Sequence, residues 1–241
     1  MTRLTSAMKT DSTVQVRNNY YSVAVAAGII TAAVLSQLVG ADSLSYAVPV
    51  VVLLVTGGTA MLYVMGLIIF EKDEGTLYAT IVSPLRVPEY LWSKILTLSV
   101  LALFETFIAV GGAMLIIGRS SAIELPAIPL LIVGVLAVGV IYTLAGIILV
   151  VRYDKITAAL VPMGAIGAVL QLPALYFLGW FQHPALLLIP TSAPTMLMQG
   201  AFVPLEMWQW VYASAVTVLM VAVLAFWANR AFLRHVVMGA R

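Results

Sequence analysis

Apolar residues in this chain run in blocks rather than alternating with polar ones, and the blocks are long enough to set the architecture. Residues 18–41, 43–70, 125–151, 156–205 and 207–229 carry no charge, and 95–118 carries only Glu105. A helix needs about 20 apolar residues to cross the hydrocarbon core, and only helices or closed barrels satisfy every backbone group there. The pattern predicts six spans, at about 20–40, 47–70, 90–117, 127–151, 156–179 and 208–230. The stretch 156–205 is long enough for two, but Pro184, Pro190, Pro194 and Pro204 cut its second half into pieces too short to cross. That half is expected to form short re-entrant or outer-surface helices.

Composition gives the same class. Hydrophobic residues make up 63% and charged residues 9%, where soluble domains carry about 25% charged residues. The expected fold is therefore an all-α integral membrane domain over 20–230, with a polar N-terminal arm (1–19) and a short tail (231–241). Val39-Gly40-Ala41 resembles a signal-peptide cleavage site, yet the apolar run before it is longer than a signal peptide needs, which favours an uncleaved first span. The arm, with Leu4, Met8, Val14 and Val16 scattered through polar residues, reads equally as an interfacial helix or a disordered tail. No repeat or linker divides the chain.

Charge then orients it. Eleven of the twelve Lys and Arg residues fall in the arm, the segments after spans two and four, and the tail; Arg119 alone lies on the other side. The positive-inside rule puts both termini in the cytoplasm of a cell-membrane protein. Tyr20, Tyr21, Trp92 and Trp227 would lie at the inner interface, with Tyr46, Trp180, Trp208, Trp210 and Tyr212 at the outer. The net charge of +2 follows from these anchors, and no basic patch interleaved with aromatics suggests nucleic acid. With no cysteine, thiolate chemistry is excluded.

Candidate chemistry is sparse. The chain lacks a phosphate-binding loop, a nucleophile elbow and an H-E-x-x-H helix, and its two histidines, His183 and His235, are far apart. Neither catalysis, nor a metal, nor a cofactor is expected. Against that background the loop after span two stands out, because seven of the 22 charged residues lie between Glu71 and Lys94. Gly75 allows a sharp turn. Residues 76–82 are expected to form a short helix with Leu77 and Ile81 on one face, stopped at Ser83-Pro84. Pro88 and Glu89 suit the first turn of span three.

At these residues the sequence resembles the type-2 ABC exporter permeases, half-size membrane subunits that move drugs, lipids, polysaccharides or haem precursors. The resemblance rests on Glu71, Gly75-Thr76-Leu77, Ser83-Pro84-Leu85, Glu89-Tyr90-Leu91 and Lys94. It implies six spans and a coupling helix after span two that docks on a separate ATPase. The coupling residues would be Glu71, Glu74, Gly75, Thr76, Leu77, Tyr78, Ile81, Pro84 and Leu85, with Glu71 and Glu74 meeting basic residues of the partner. It also implies two ATPase subunits, which hold the ATP and magnesium, and a second permease half, identical or homologous. Among subfamilies the chain resembles bacterial drug or lipid exporters, including a fluoroquinolone-export type. The arm departs from the family pattern in being shorter and less amphipathic than the expected interfacial helix.

Within the membrane Glu105 is the exception, about 11 residues beyond Lys94 and so near mid-depth. A carboxylate there is expected to face protein or water or to be protonated, and not to face lipid. One reading makes it a pathway residue; the other gives it a helix-to-helix hydrogen bond, with Tyr142, Thr143 or Gln171 as candidate partners. Met61, Tyr63 and Met65 on span two, and Gln171 and Tyr176 on span five, are further pathway candidates, since those spans line the pathway in the family. Small residues Ala24, Gly28 and Ala32, and Gly164 with Ala168, allow close helix approach. The alternative function is a proton-coupled secondary transporter using Glu105.

Overall fold

The computed structural model describes residues 3–77, Ala79, 85–119 and 125–238. Among them six helical stretches are long and apolar enough to cross a membrane: Tyr20–Leu38, Leu44–Asp73, Val87–Ile117, Ile128–Val150, Ile156–Phe177 and Met207–Val237. Every start falls within three residues of the sequence expectation, while the last span continues past residue 230 to Val237. The chain is an all-helical, multi-pass membrane protein.

The N-terminal arm is helix α1 (Arg3–Arg17), and span one is α2 (Tyr20–Leu38). Asn19 joins them in the left-handed conformation, at φ 61°, one of the few non-glycine residue types that tolerate it. Span two is composite: α3 (Leu44–Val51), a π turn (Val52–Thr56) and α4 (Gly57–Asp73). Pro49 lies in α3, and the wider turn begins three residues beyond it. Span three is α5 (Val87–Ile117), span four α6 (Ile128–Val150), and span five α7 (Ile156–Gln171) with α8 (Pro173–Phe177). A short helix, α9 (Ser192–Gln199), precedes span six, α10 (Met207–Phe232), which ends in a second π turn (Leu233–Val237).

Span four is the axis of the bundle. Residues 141–148 are all buried, and neighbours approach through glycines. A Cβ on Gly57 would lie 2.4 Å from the Tyr142 ring, one on Gly146 2.4 Å from Val64, and one on Gly134 2.3 Å from Met198. Lipid tails are as apolar as leucine, so helices in a bilayer associate through packing this close rather than through hydrophobic exclusion.

The proline-broken segment is divided: its 3-10 turn Pro184–Leu188 has no buried residue, and the helix after it is packed inside the bundle. Ser192 to Met198 are buried, and α9 packs between spans four and six. Its entry is tied down by hydroxyls: Thr191 donates to the Leu170 carbonyl and Ser192 to that of Leu186, both at 2.6 Å. The segment thus combines an exposed turn with a buried short helix, and neither piece is long enough to cross a membrane.

The N-terminal arm is a helix rather than a disordered tail, and the face it turns to the bundle is mixed. Asp11 and Gln15 are buried and Leu4, Met8 and Val14 half-buried, whereas Val16 is 62% exposed. It runs beside the start of α5, and α2 continues beside the rest of α5, with Tyr21 against Phe104 and Gly28 against Ile108.

Glycine contacts provide the first test. Gly146→Ala should lower stability by about 1–3 kcal/mol through overpacking, and Val64→Ala in the same chain should recover most of the loss. Gly164→Ala, where nothing lies within 4 Å, should leave the thermal transition of the detergent-solubilised protein unchanged.

Candidate functional site

Helix α5 has 31 residues, about 46 Å at 1.5 Å per residue, against a hydrocarbon core of about 30 Å. The surplus lies at the end of the bundle that carries both described termini, where α1, the last turn of α4, the first turns of α5 and the end of α10 meet. Tyr90 packs on Phe232 with ring centres 5.0 Å apart. Glu89 caps the start of α5, its carboxylate accepting from the Arg86 N–H at 2.8 Å.

Lys94 stands at the centre of this end and is fully buried. Its Nζ donates to Asp11 Oδ1 at 2.8 Å and to Glu71 Oε1 at 2.5 Å. The same ammonium lies 4.6 Å from the centre of the Tyr90 ring, a cation–π contact. Each carboxylate has a second donor: Tyr90 to Glu71 Oε2 at 2.5 Å, and the Ser93 hydroxyl to Asp11 Oδ2. One turn along, Gln15 Nε2 donates to the Thr97 hydroxyl at 2.9 Å. Protein donors take over from water at Lys94 and Asp11 and at both oxygens of the partly exposed Glu71, the condition under which a buried ion pair is tolerated.

A second clamp lies one residue away. Lys72 donates to the carbonyls of Val151 and Tyr153, at 3.1 and 2.7 Å, and to Asp154 at 3.2 Å. It ties the exit of span two to the exit of span four. Beyond it Glu74 is exposed and lies 3.6 Å from Arg17, and Gly75 turns the chain with φ +71°. Thr76, Leu77 and Ala79 are helical, and Leu77 is buried. Tyr78, Ile81 and Pro84 lie outside the described residues, and Leu85 is half-buried.

Glu71 thus differs from the sequence expectation in one respect. It points into the chain, where Lys94 and Tyr90 take its two oxygens, and Glu74 is the carboxylate of the pair turned to solvent. Sequence reading took Lys94 only as part of a motif and passed over Asp11. The signal was present: Asp11 and Gln15 are one turn apart, as are Lys94 and Thr97, so each pair offers a polar stripe to the other helix.

Deeper in the bundle, Glu105 is 1% exposed and meets span two rather than lipid. Its partner is none of the three candidates. Thr59 donates to the carboxylate at 2.9 and 3.1 Å, and the Thr56 and Thr106 hydroxyls lie 3.1 Å apart beside it. The hydroxyls of Tyr142 and Thr143 are buried without a hydrogen-bond partner, and Gln171 donates to the Leu54 carbonyl at 3.1 Å.

Met61, Tyr63 and Met65 are also buried in protein, with Tyr63 stacked on Tyr20 at 5.1 Å. Tyr176 packs edge-on against Phe177. The structure brings Glu105, Tyr63, Met61 and Met65 onto spans two and three in a closed packing and leaves Tyr176 apart on α8.

The partners of Lys72 differ in a testable way. Lys72→Met removes a charged donor from buried carbonyls and should cost about 1.5–3 kcal/mol, whereas Asp154→Asn removes an 89% exposed partner and should cost well under about 1 kcal/mol. Thermal unfolding and amide exchange at 150–155 distinguish the two.

Comparison with known proteins gives this geometry its family. The model of the fluoroquinolones export permease protein family matches residues 2–240. Fluoroquinolones export permease proteins from two strains of Mycobacterium tuberculosis are each 32% identical over 239 residues, covering 98% of this chain and 98% of theirs. The match takes in the α1 helix, the charged segment after span two and all six spans. The chain belongs to the fluoroquinolones export permease family.

Proposed function

We propose that this chain is the membrane subunit of an ATP-driven exporter of aromatic, amphipathic drugs of the fluoroquinolone kind. It forms a pathway with a second permease half and is driven by two copies of a separate ATPase. The observation that carries this reading is the end-to-end match to export permeases, together with a charged loop braced at its root by Lys94 and Lys72. A loop meant to transmit force needs a rigid base, and both lysines provide one.

In this reading the end bearing the termini faces the cytoplasm. The ATPase engages the loop at Glu74, Gly75 and Thr76, with Tyr78, Ile81, Pro84 and Leu85 as the further candidates, while Leu77, buried against the bundle, anchors the loop from behind. Glu71 acts from within, fixing the point at which the loop leaves span two. Displacement of the loop separates spans two and three at the Thr59–Glu105 bond and opens the layer holding Met61, Tyr63 and Met65 to substrate. Gln171 and Tyr176 on span five complete the candidate lining. Binding and hydrolysis of ATP and magnesium take place on the partner, and this chain contributes no nucleotide contact.

The burial of Glu105 with one hydroxyl for company supports a second reading, in which that carboxylate carries protons for a secondary transporter. Accumulation assays decide between the two. Cells expressing the chain with a partner ATPase subunit should retain less fluoroquinolone, and vanadate should abolish the difference. Export that resists vanadate and stops with an uncoupler would replace the ATP-driven reading with the proton-driven one.

Glu105 has its own test. If its charge meets substrate or proton, Glu105→Gln should assemble normally and export at a reduced rate. Normal export by Glu105→Gln, with failed assembly of Glu105→Leu, would restrict the residue to holding spans two and three together.

A further inference from the structure

Helix α1 meets the bundle through a mixed face, on which Val14 packs against the core and Leu4 and Met8 are half-buried. Its two fully buried residues, Asp11 and Gln15, are both polar, so hydrogen bonds and an ion pair fix its register. Asp11 ends on Lys94, and the same ammonium holds Glu71. Glu71 lies in the last turn of α4, four residues before Gly75, and so marks where rigid helix gives way to loop. A single buried cation is shared by the N-terminal helix and the root of the loop. At its other end α1 passes through two residues, Asn18 and Asn19, into span one.

From this we infer that Lys94 is a positioning residue that makes the N-terminal helix travel with the loop after span two, so that force applied to the loop also reaches span one. The inference rests on the export reading for its physiological setting, since something must move the loop. Its structural content stands apart from the source of energy. The connection is mechanical because the ion partners of Lys94 among the described residues are Asp11 and Glu71. If Asp11 and Glu71 separated, one of them would lose its cation in a largely desolvated site, where Tyr90 or Ser93 alone compensates a carboxylate poorly. The exposed Arg17–Glu74 pair joins the same two elements from outside, but at 3.6 Å in solvent it adds little.

The chain has no native cysteine, so two introduced ones report a single distance. Spin labels at Thr13→Cys on the exposed face of α1 and Asp73→Cys at the root of the loop, in nanodiscs, should give one narrow distribution. Asp11→Asn should broaden it while leaving Lys94 paired with Glu71, so the fold is preserved. Lys94→Met should broaden it further, and Lys94→Arg should restore the narrow form.

In cells, Asp11→Asn and Lys94→Met should reduce fluoroquinolone export by about two- to thirtyfold at equal membrane abundance, with Lys94→Arg close to wild type. A distribution that stays narrow in both Asp11→Asn and Lys94→Met overturns the inference, as does broadening with export unchanged. If wild-type export resists vanadate, the ATP-driven reading fails, and the label distances still decide whether Lys94 joins the two elements.

Discussion

An ammonium ion taken out of water has to be met by charge from the protein, and Lys94 is met from two sides by chain segments 60 residues apart, at Asp11 and Glu71. The two carboxylates around one cation leave a surplus negative charge, which Tyr90 and Ser93 help to disperse by donating to the oxygens that Lys94 does not reach. Buried ion clusters rarely add much stability over apolar packing, but they strongly penalise wrong pairings. Here the penalty fixes three elements at once: where α1 docks, how far α4 extends, and the rotation of α5 about its axis. The placement of the loop depends on all three.

Packing in the rest of the bundle follows another rule. Span four is surrounded by partners that reach it through Gly57, Gly146 and Gly134, and these contacts leave no space for a methyl group. Dispersion across such interfaces is short-ranged, so a helix is either in register or out of it. The polar layer of Thr56, Thr59, Glu105 and Thr106 lies between spans two and three, where that dense packing is interrupted. Hydrogen bonds between hydroxyls in a bilayer are modest, roughly 0.6 kcal/mol on average. An interface held in this way can open without unfolding its neighbours.

Much of this fold could be read in the chain because lipid imposes a length and a lack of charge that sequence displays directly. The six spans, the acidic segment and Glu105 emerged on those grounds. What escaped has specific causes. The arm from Arg3 to Arg17 was judged by its apolar residues, yet it docks by Asp11 and Gln15, whose partners lie more than 80 residues away. Thr59 was missed as the partner of Glu105 because periodicity gives the faces of a helix and not its height against another. The π turn at Val52–Thr56 compounds this, since an extra residue in one turn offsets every later position from a wheel drawn through span two. Glu71 carried the family motif, but only the fold distinguished an inward carboxylate from the outward one at Glu74.

The same π turn has a consequence for how such a chain can change over generations. A helix packed on both sides tolerates replacement of a side chain far better than loss or gain of a residue, because one residue turns everything beyond it by about 100°. The wide turn at Val52–Thr56 is the exception within span two, since it holds one residue more than an α-helical turn requires. A codon lost there relaxes the turn to ordinary helix and leaves Thr59 and Glu71 in phase, whereas a codon lost between Thr59 and Glu71 turns one against the other by about 100°, so that both cannot keep their partners. Span two therefore has one place where its length can be rewritten without disturbing what it connects.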